Sequence, residues 1–518
     1  MHSVQPRSGD SILFPATFFA AAAAPSPAEP PFFADLHLDE IVAAALAGRD
    51  EYHLAELFYQ PLKTAEEIAY RQEIMRDVQA GPTLAAFRAF SGQMARMRRH
   101  LATAETIHFA IHKHGYILEA ATVYSRAVAA LHHALGPMPL ESRGLRDFRT
   151  RLGEYVQSEN FQTLTAMAEN IQSRLRAIIY CIRIQEDLVT VSRYAGEADF
   201  GQEVQHTFAR FQQGTVRDYT AALAPGDSMN HVEVRILALV ARLHPDLFAD
   251  LETFCAKYPD FPADIVVQCE REIQFFMAWV EFTGRVAQTG LRFCYPQILV
   301  NAKSLAVREG FDLALATHLL PSGAAPVCND LTLNDPERII VVSGPNQGGK
   351  TTFARMLGQL HYLASLGCTV PAVEAKLGLV DGIFTHFERP ENFADLRGKL
   401  QDDLLRLRDI VRHATGHSMV ILNEIFSSTS ARDGLYLATR MIAKLAELQT
   451  LCVCVTFLDE LSRLNDHTVS VVAGVAPADP TQRTFRLERH PADGNAYALA
   501  VAQQHHLTYA QIKRRLTP

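Results

Sequence analysis

Positive charge is scarce in this chain of 518 residues, which has 49 Lys and Arg residues against 57 Asp and Glu residues. The formal net charge of −8 excludes a diffuse basic surface, so any contact with nucleic acid has to be local. Cysteine is also sparse, and the 8 cysteines form no Cys-x-x-Cys pair and no Cys/His spacing typical of zinc sites. These absences indicate a reduced, cytosolic protein without structural zinc.

Long uncharged apolar runs are missing as well. No stretch reaches the roughly 18 residues that a membrane span requires, so the sequence predicts a soluble protein. The run from Ile12 to Ala24 is similar to a signal-peptide core, but Pro15 interrupts it and Arg7 is the only Lys or Arg ahead of it. We therefore interpret residues 1–30 as a flexible Ala/Pro-rich tail.

A hydrophobic content of 48% over this length supports roughly two or three packed domains. Glycine is infrequent between residues 36 and 287, and apolar residues recur there at spacings of three and four, which predicts a mostly helical region at 31–298. One exception lies at 178–194, where β-branched residues alternate around Glu186 and Asp187. That alternation predicts a β-hairpin.

The character of the sequence changes after residue 298. Short runs at 339–344, 419–424, 450–456 and 468–474 are apolar throughout and alternate with helical patterns, which predicts strands of a covered α/β sheet in a domain at 299–490. Cys452 and Cys454 share one face of the third run. We predict that they are small core residues rather than redox partners.

A phosphate-binding motif follows the first of these runs. Residues 344–351 satisfy G-x-x-x-x-G-K-[ST] between a predicted strand and a predicted helix, which favours an ATP- or GTP-binding loop over a chance match. Lys350 is expected to reach the β- and γ-phosphates, and Thr351 to ligate Mg²⁺. The predicted nucleotide-binding residues are Gly344, Pro345, Asn346, Gln347, Gly348, Gly349, Lys350, Thr351 and Thr352.

The run at 419–424 ends in two polar residues, where a second nucleotide motif usually supplies acids for the metal and for water. Glu424 is the predicted catalytic base. Asn423 stands where Asp is usual, and its amide can still hydrogen-bond a water on Mg²⁺ but brings no negative charge. The alternative is a strand end that is merely capped by polar residues.

The C-terminal third resembles the ATPase domain of the MutS mismatch-repair family. The matching segments are SGPNQGGKTT (343–352), YLASLGCTVPA (362–372), DGIFTHF (381–387), NEIFSSTSARDG (423–434) and NAYALAVAQQHHLTYAQIKRRL (495–516). The resemblance implies an ABC-type P-loop ATPase domain, and a helical tail at 491–518 that helps dimers form. It also implies ATP and Mg²⁺ as cofactors, and a homodimeric clamp on mismatched or branched DNA that works with other repair proteins.

A weaker resemblance reaches the helical region. Segments 60–75 and 271–298 look like the family's core and lever helices, which makes 31–298 a lever region. Too few residues precede Pro61 to encode the family's mismatch-reading domain and connector, so we expect these to be absent. The resemblance implies a cytoplasmic, nucleoid-associated protein.

The departures from the family pattern bear on activity. Asn423 replaces an Asp, Phe457 stands where the family has His, and residues 426–428 replace Gly-Arg-Gly. The family's Ser that touches the nucleotide of the opposite subunit aligns with Gly398. These departures predict slow hydrolysis. The net charge of −8 and the expected absence of the mismatch-reading domain keep open a second interpretation, a nucleotide-gated protein scaffold with little affinity for DNA.

Two weaker signals also leave alternatives open. The basic run at 96–100, with Arg96, Arg98, Arg99 and His100, could contact phosphates or form a solvated helix face. The histidines at 108, 112 and 114 could ligate a metal, although no carboxylate is expected nearby on that face.

Overall fold

The computed structural model of the protein describes residues 11–15, 28–186, 188–197, 229–300, 304–388, 398–476, 479–492 and 505–516. The first half is mostly helical. Its elements are α1 (Phe33–Leu36), α2 (Leu38–Leu46), α3 (Ala55–Phe58), α4 (Ala65–Gln79), α5 (Gly81–Thr106), α6 (Ala110–Leu135), α7 (Arg143–Gln157), α8 (Glu159–Arg176), β1 (Tyr180–Gln185), β2 (Leu188–Arg193), α9 (His231–Leu243), α10 (Pro245–Lys257) and α11 (Asp264–Ala287).

Strands and helices alternate in the second half. The elements are β3 (Gln297–Leu299), β4 (Leu305–Gly310), α12 (Leu313–Leu319), β5 (Asn329–Leu333), β6 (Ile339–Ser343), α13 (Lys350–Ser365), β7 (Glu374–Gly378), β8 (Ile383–His386), α14 (Lys399–His413), β9 (Met419–Asn423), α15 (Ala431–Glu447), β10 (Leu451–Val455), β11 (Thr468–Ala476), β12 (Asp479–Glu488) and α16 (Tyr509–Leu516). The fold is therefore mixed α/β with a helical N-terminal region. Among the helices that the structure describes, none has both the length and the apolar character needed to span a membrane.

The chain divides into two compact units. The helical unit takes its described residues from 81–139 and 146–270, and the α/β unit takes its described residues from 6–80, 140–145 and 271–518. Residues 28–80 therefore group with the phosphate-loop region rather than with the helices that follow them in sequence.

The helical unit is built on α5 and α6, which pack against each other. Phe90, Met94 and Met97 of α5 are buried, as are Val128 and Leu131 of α6, and both sets follow the helical spacing of three and four. The segment predicted as a hairpin forms antiparallel strands β1 and β2, in which Ile182 lies opposite Val191. Its β-branched residues favour this extended conformation.

A six-stranded sheet forms the centre of the α/β unit, with strand order β12-β11-β6-β10-β9-β8. The strands are parallel except for β12, which pairs antiparallel with β11 at one edge. All five residues of β6 are buried, as expected for a strand that is covered on both faces. Cys452 and Cys454 of β10 belong to the apolar core beneath the sheet, so the prediction that they are core residues is confirmed.

Helix α13 ties the N-terminal residues to the sheet. The buried Gln359 amide donates to the carbonyl oxygen of Leu36 and to Asp312, at 2.9 Å each, and its Oε1 accepts from the Leu313 amide at 2.8 Å. The Tyr362 hydroxyl donates to the carbonyl oxygen of Phe58 at 2.7 Å. These buried polar groups are satisfied together, which fixes α1 to α3 on the phosphate-loop helix.

Candidate nucleotide-binding site

The phosphate loop connects the end of β6 to the start of α13. Gly344 and Gly349 have φ of 114° and 90°, in the left-handed region that favours glycine. A Cβ on Gly344 would lie 3.0 Å from the backbone N and O of Ala473, and one on Gly348 would lie 3.0 Å from the Pro345 carbonyl oxygen. The glycines therefore meet both a conformational and a steric requirement. The loop ends at a helix N-terminus, which favours an anion.

Lys350 is the first residue of α13 and is 5% exposed. Its Nζ donates to the carbonyl oxygens of Gly344 at 2.9 Å and Pro345 at 3.1 Å. The same Nζ lies 4.3 Å from the centroid of the Phe457 ring. Burial lowers the pKa of Lys350, and the Glu424 carboxylate acts in the opposite direction. The amine therefore rests on the loop's own carbonyls and on an aromatic face.

The second residue of α13 meets the end of β9. The Thr351 hydroxyl donates to Asn423 Oδ1 at 3.1 Å. Asn423 is the last residue of β9 and pairs with Val455 of β10. This contact joins the two sequence motifs, with a hydroxyl and an amide oxygen at the position where a hard cation would find oxygen ligands.

Glu424 follows immediately and lines the same cavity as the loop. Its φ of 54° is unusual for a residue with a side chain, and its amide donates to the carbonyl oxygen of Val455 at 2.9 Å. This hydrogen bond holds the left-handed turn that carries the side chain away from the strand. Such outliers occur often at functional sites.

The cavity beside the loop has a volume of 590 Å³, which lies in the usual range for small-molecule sites. Residues 346–352 form its polar wall. The remaining wall is largely apolar and comes from α12, the segment before β5, and β12; it includes Leu315, Leu319, Pro326, Val327 and Phe485. A polar, glycine-rich wall opposite an apolar one is a suitable enclosure for a nucleotide.

Two residues near the loop were not found by sequence reasoning. Arg483 of β12 donates from Nε to the carbonyl oxygen of Asn346 at 3.2 Å, and its charge lowers the pKa of Lys350. Phe485 has a φ of 56°. Asn329 holds the strand there, because its Nδ2 donates to the Phe485 carbonyl oxygen and its Oδ1 accepts from the Leu487 amide. No local sequence motif identifies a residue that reaches the loop from a distant edge strand.

Two further residues of the predicted loop line the same cavity. Gln347 adopts a φ of 60°, and Thr352 lies in the first turn of α13; both line the cavity. Gly398 lies at the N-cap of α14, and among the described residues no heavy atom comes within 4 Å of a Cβ built on it. It is not among the residues that line the cavity of this single chain.

The weaker sequence signals have a structural setting in the helical unit. Arg96 pairs with the partly exposed Glu119 at 3.3 Å, and Arg98 pairs with the buried Glu270 at 2.6 Å, so both arginines form ion pairs within the helical unit. His112 contacts the ring of Tyr116. In the ranges that the structure covers, no group of three His, Cys, Asp or Glu residues is arranged to hold a metal ion.

Comparison with known proteins locates the similarity in this region. Residues 340–514 match the family model of MutS domain V. The DNA mismatch repair protein MutS of Oleidesulfovibrio alaskensis is 35% identical to this chain over 152 residues, which are 29% of this chain and 17% of that protein. The match thus spans about a sixth of the relative's length. The matched range, which begins at residue 340, includes the phosphate loop, the end of β9 and Phe457.

Proposed function

Since this chain is a MutS-family protein that carries MutS domain V at residues 340–514, we propose that it binds ATP at the loop 344–352, hydrolyses it, and couples the nucleotide to DNA. The observation that carries the proposal is the joint geometry of the two motifs: the left-handed glycines, the partly desolvated Lys350, and the 3.1 Å contact of Thr351 with Asn423 at one end of the sheet. ATP as the ligand follows from the family.

The roles follow from the positions of the side chains. The loop amides and Lys350 bind the phosphates, and Lys350 leaves its two carbonyl partners to do so. Glu424 orients the attacking water and accepts its proton. The apolar wall with Leu315, Val327 and Phe485 holds the rest of the nucleotide and excludes water.

The residues present also fit Mg²⁺. The Thr351 hydroxyl and the Asn423 amide oxygen already face each other. The carboxylate of Glu424, which we assign to the attacking water, lines the same cavity. Bound Mg²⁺ would neutralise charge on the phosphates. Asn423 adds no charge there, so we propose that Thr351 ligates the ion and that Asn423 acts on it through water, with weaker binding than an Asp would give.

Two observations favour slow turnover, and with it the second function of a nucleotide-gated protein scaffold. Phe457 stands where the family has His, and its ring covers Lys350 without offering a proton or a hydrogen bond. Asn423 removes a charge from the metal site. ATP binding alone would then bring about the functional change, by shifting populations rather than by rapid hydrolysis.

We further propose that the chain acts as a homodimer on mismatched or branched DNA, in the cytoplasm with the nucleoid, together with other repair proteins. The helical residues 31–298 would supply the core and lever, residues 299–490 the ATPase, and residues 491–518 a dimerisation tail. Support for the tail comes from Leu507, Tyr509 and Ile512, which lie at or beside α16 and are exposed. Apolar side chains with this exposure are suited to a partner surface.

ATPase activity measured with and without DNA tests the proposal. Homoduplex, mismatched and four-way-junction DNA are compared at equal nucleotide concentration, and stimulation by one of them is expected. In a parallel gel shift, phosphate contacts give an affinity that falls steeply with salt. Glu424→Gln is the control, because it should keep ATP binding and lose hydrolysis. No DNA response and no salt-dependent binding would reject the DNA proposal and leave the scaffold.

A further inference from the structure

The segment Ser11–Phe14 packs within the α/β unit. Ser11, Ile12 and Leu13 are 5%, 0% and 2% exposed, so this short stretch is buried as deeply as the sheet core. The sequence around it, with its alanines and prolines, does not indicate such docking. The contacts that hold it come from α4 and α11.

The buried Glu272 of α11 is the first anchor. Its carboxylate accepts hydrogen bonds from the Ser11 hydroxyl at 2.9 Å, the Ile12 amide at 2.6 Å and the Leu13 amide at 3.2 Å. Ser11 Oγ in turn accepts from the amides of Leu13 at 3.0 Å and Phe14 at 3.2 Å. Charge-assisted bonds of this kind are stronger than neutral ones, and here they recognise the backbone of the segment.

The second anchor is Arg71 of α4, which has no exposed surface. Its Nε donates to the carbonyl oxygen of Leu13 at 3.2 Å, and its guanidinium lies 4.8 Å from the centroid of the Phe14 ring. Burial lowers the pKa of Arg71 to about 10. Among the described residues, its second terminal nitrogen has no hydrogen-bond partner. The segment supplies one hydrogen bond and one aromatic contact to this buried charge; the ring of Phe275 lies 5.4 Å from the guanidinium as well.

Arg71 also holds the far end of the phosphate-loop helix. Its terminal nitrogen Nη1 donates at 3.2 Å to the carbonyl oxygen of Leu366, the C-cap of α13. The next residue, Gly367, has a φ of 75°, and a Cβ on it would lie 2.6 Å from the Cβ of Arg71. One side chain thus contacts both the docked segment and the helix whose first residue is Lys350.

We propose that Ser11–Phe14 is an internal peptide ligand of the α/β unit. Its docking is coupled to nucleotide binding through Arg71 and α13. Undocking removes the Leu13 carbonyl and the Phe14 ring from Arg71, and three donors from Glu272. Water then replaces the segment at both side chains, and Arg71 loses a hydrogen bond and an aromatic contact that fix the position of its guanidinium. The hydrogen bond from Arg71 to the Leu366 carbonyl oxygen then changes, and α13 carries the resulting shift in its C-terminal end to Lys350 at its N-terminal end. The inference rests on nucleotide binding at the loop 344–352.

Ile12→Asp in the full chain tests the coupling, because a buried carboxylate at Ile12 expels the segment. Ile182→Asp is the matched control, since Ile182 is 42% exposed. Affinity for a fluorescent ATP analogue is measured with Mg²⁺, after circular dichroism has shown that each variant is folded. We expect Ile12→Asp to weaken binding by about fivefold or more, the lower end of ordinary coupling, and Ile182→Asp to leave it unchanged. Equal affinity in both variants overturns the coupling.

Hydrogen exchange on the unaltered chain supplies a test that needs no variant. Coupling is reciprocal, so ATP must stabilise the docked segment by the same factor by which docking strengthens ATP binding. Exchange of the Ile12 and Leu13 amides should slow by about that factor when Mg-ATP is added. Exchange that ATP leaves unmoved overturns the inference while the proposed function stands. Failure of the unaltered chain to bind ATP overturns the proposed function and the coupling together.

Discussion

The Nζ of Lys350 lies 4.3 Å from the centroid of the Phe457 ring and donates to the loop carbonyls of Gly344 and Pro345. Phe457 is 53% exposed, so the ring forms an open lid over the amine rather than part of the core. Lys350 itself is buried, so this cation–π contact contributes at least the roughly 0.5–1 kcal/mol of an exposed one. If Lys350 gives up this contact to reach a phosphate, as we propose, the ring competes with the nucleotide.

Replacing the ring should therefore strengthen nucleotide binding. Phe457→Leu is expected to raise ATP affinity by about two- to fivefold, the factor that corresponds to the lost cation–π contact. Tyr436→Leu is the matched control, because it removes another exposed aromatic that contacts a cation, Arg440, on α15. Weaker binding by Phe457→Leu alone would mean that the ring contacts the nucleotide instead of competing with it.

Asn423→Asp should change the metal dependence. A carboxylate beside the Thr351 hydroxyl adds charge at the cation site, so the Mg²⁺ concentration for half-maximal ATP turnover should fall. Steady-state ATPase assays across a Mg²⁺ titration measure it. Asn465→Asp makes the same change at an exposed turn and should leave the titration unmoved. If Asn423→Asp behaves like this control, the end of β9 is not the metal site.

Gly398 offers a test of the composite site. Its φ of −67° suits any residue, and no heavy atom of the described residues lies within 4 Å of a Cβ built on it, so a side chain is admitted without strain. If this residue faces the nucleotide of the opposite subunit, Gly398→Ser restores a hydroxyl and should strengthen ATP-dependent dimerisation by about tenfold, as expected for a hydrogen bond to a charged group. Sedimentation with ATP measures the dimer. Gly398→Ala lacks the hydroxyl, and an equal gain in both variants would refute the contact with nucleotide.

Burial of His361 predicts a pH-dependent loss of stability. Burial lowers its pKa, its Nδ1 donates to the Leu357 carbonyl oxygen at 2.8 Å, and its Nε2 has no hydrogen-bond partner among the described residues. The folded pKa lies below the unfolded value of about 6.5, so this stability is present above that pH and is lost as the pH falls below it. Between pH 7.5 and 5.5, roughly one unit either side of the unfolded-state pKa, the melting temperature of His361→Gln should fall less than that of the unaltered chain.

The exposed His413 supplies the control for this experiment. Its Nδ1 also lies 2.8 Å from the carbonyl oxygen four residues earlier, that of Asp409, but the residue faces solvent. His413→Gln should keep the acid sensitivity of the unaltered chain. A pH dependence that is identical in all three proteins would contradict the assignment of acid lability to His361.

Local motifs explain which features the sequence predicts. The left-handed glycines at 344 and 349 follow from the loop motif, because only a short backbone stretch decides them. The four strands predicted near 339, 419, 450 and 468 are observed at β6, β9, β10 and β11, since runs that are apolar on both faces fit a covered parallel sheet. The assigned roles of Lys350, Thr351, Asn423 and Glu424 stay predictions.

Contacts between residues that are far apart in the sequence could not be predicted from local patterns. Gln359 meets Leu36 across 323 residues, and Ser11 meets Glu272 across 261. Neither pair carries a local pattern, because the contact depends on how separate elements pack. The same holds for Arg483 at Asn346 and for the ring of Phe457 over Lys350. Periodicity specifies which face of an element is buried, and it does not specify the partner.

The most direct test of the central claim is equilibrium binding of Mg-ATP to the full chain and to Lys350→Ala. We predict that the unaltered chain binds Mg-ATP and that Lys350→Ala binds it at least about tenfold more weakly. The melting temperature of Lys350→Ala should stay unchanged, because Lys350 is proposed to contact phosphates and not the core. Lys444→Ala, which removes an exposed lysine paired with Glu447 on α15, should bind as the unaltered chain does. Equal affinity of Lys350→Ala and Lys444→Ala would contradict the assignment of the loop 344–352 as the ATP site.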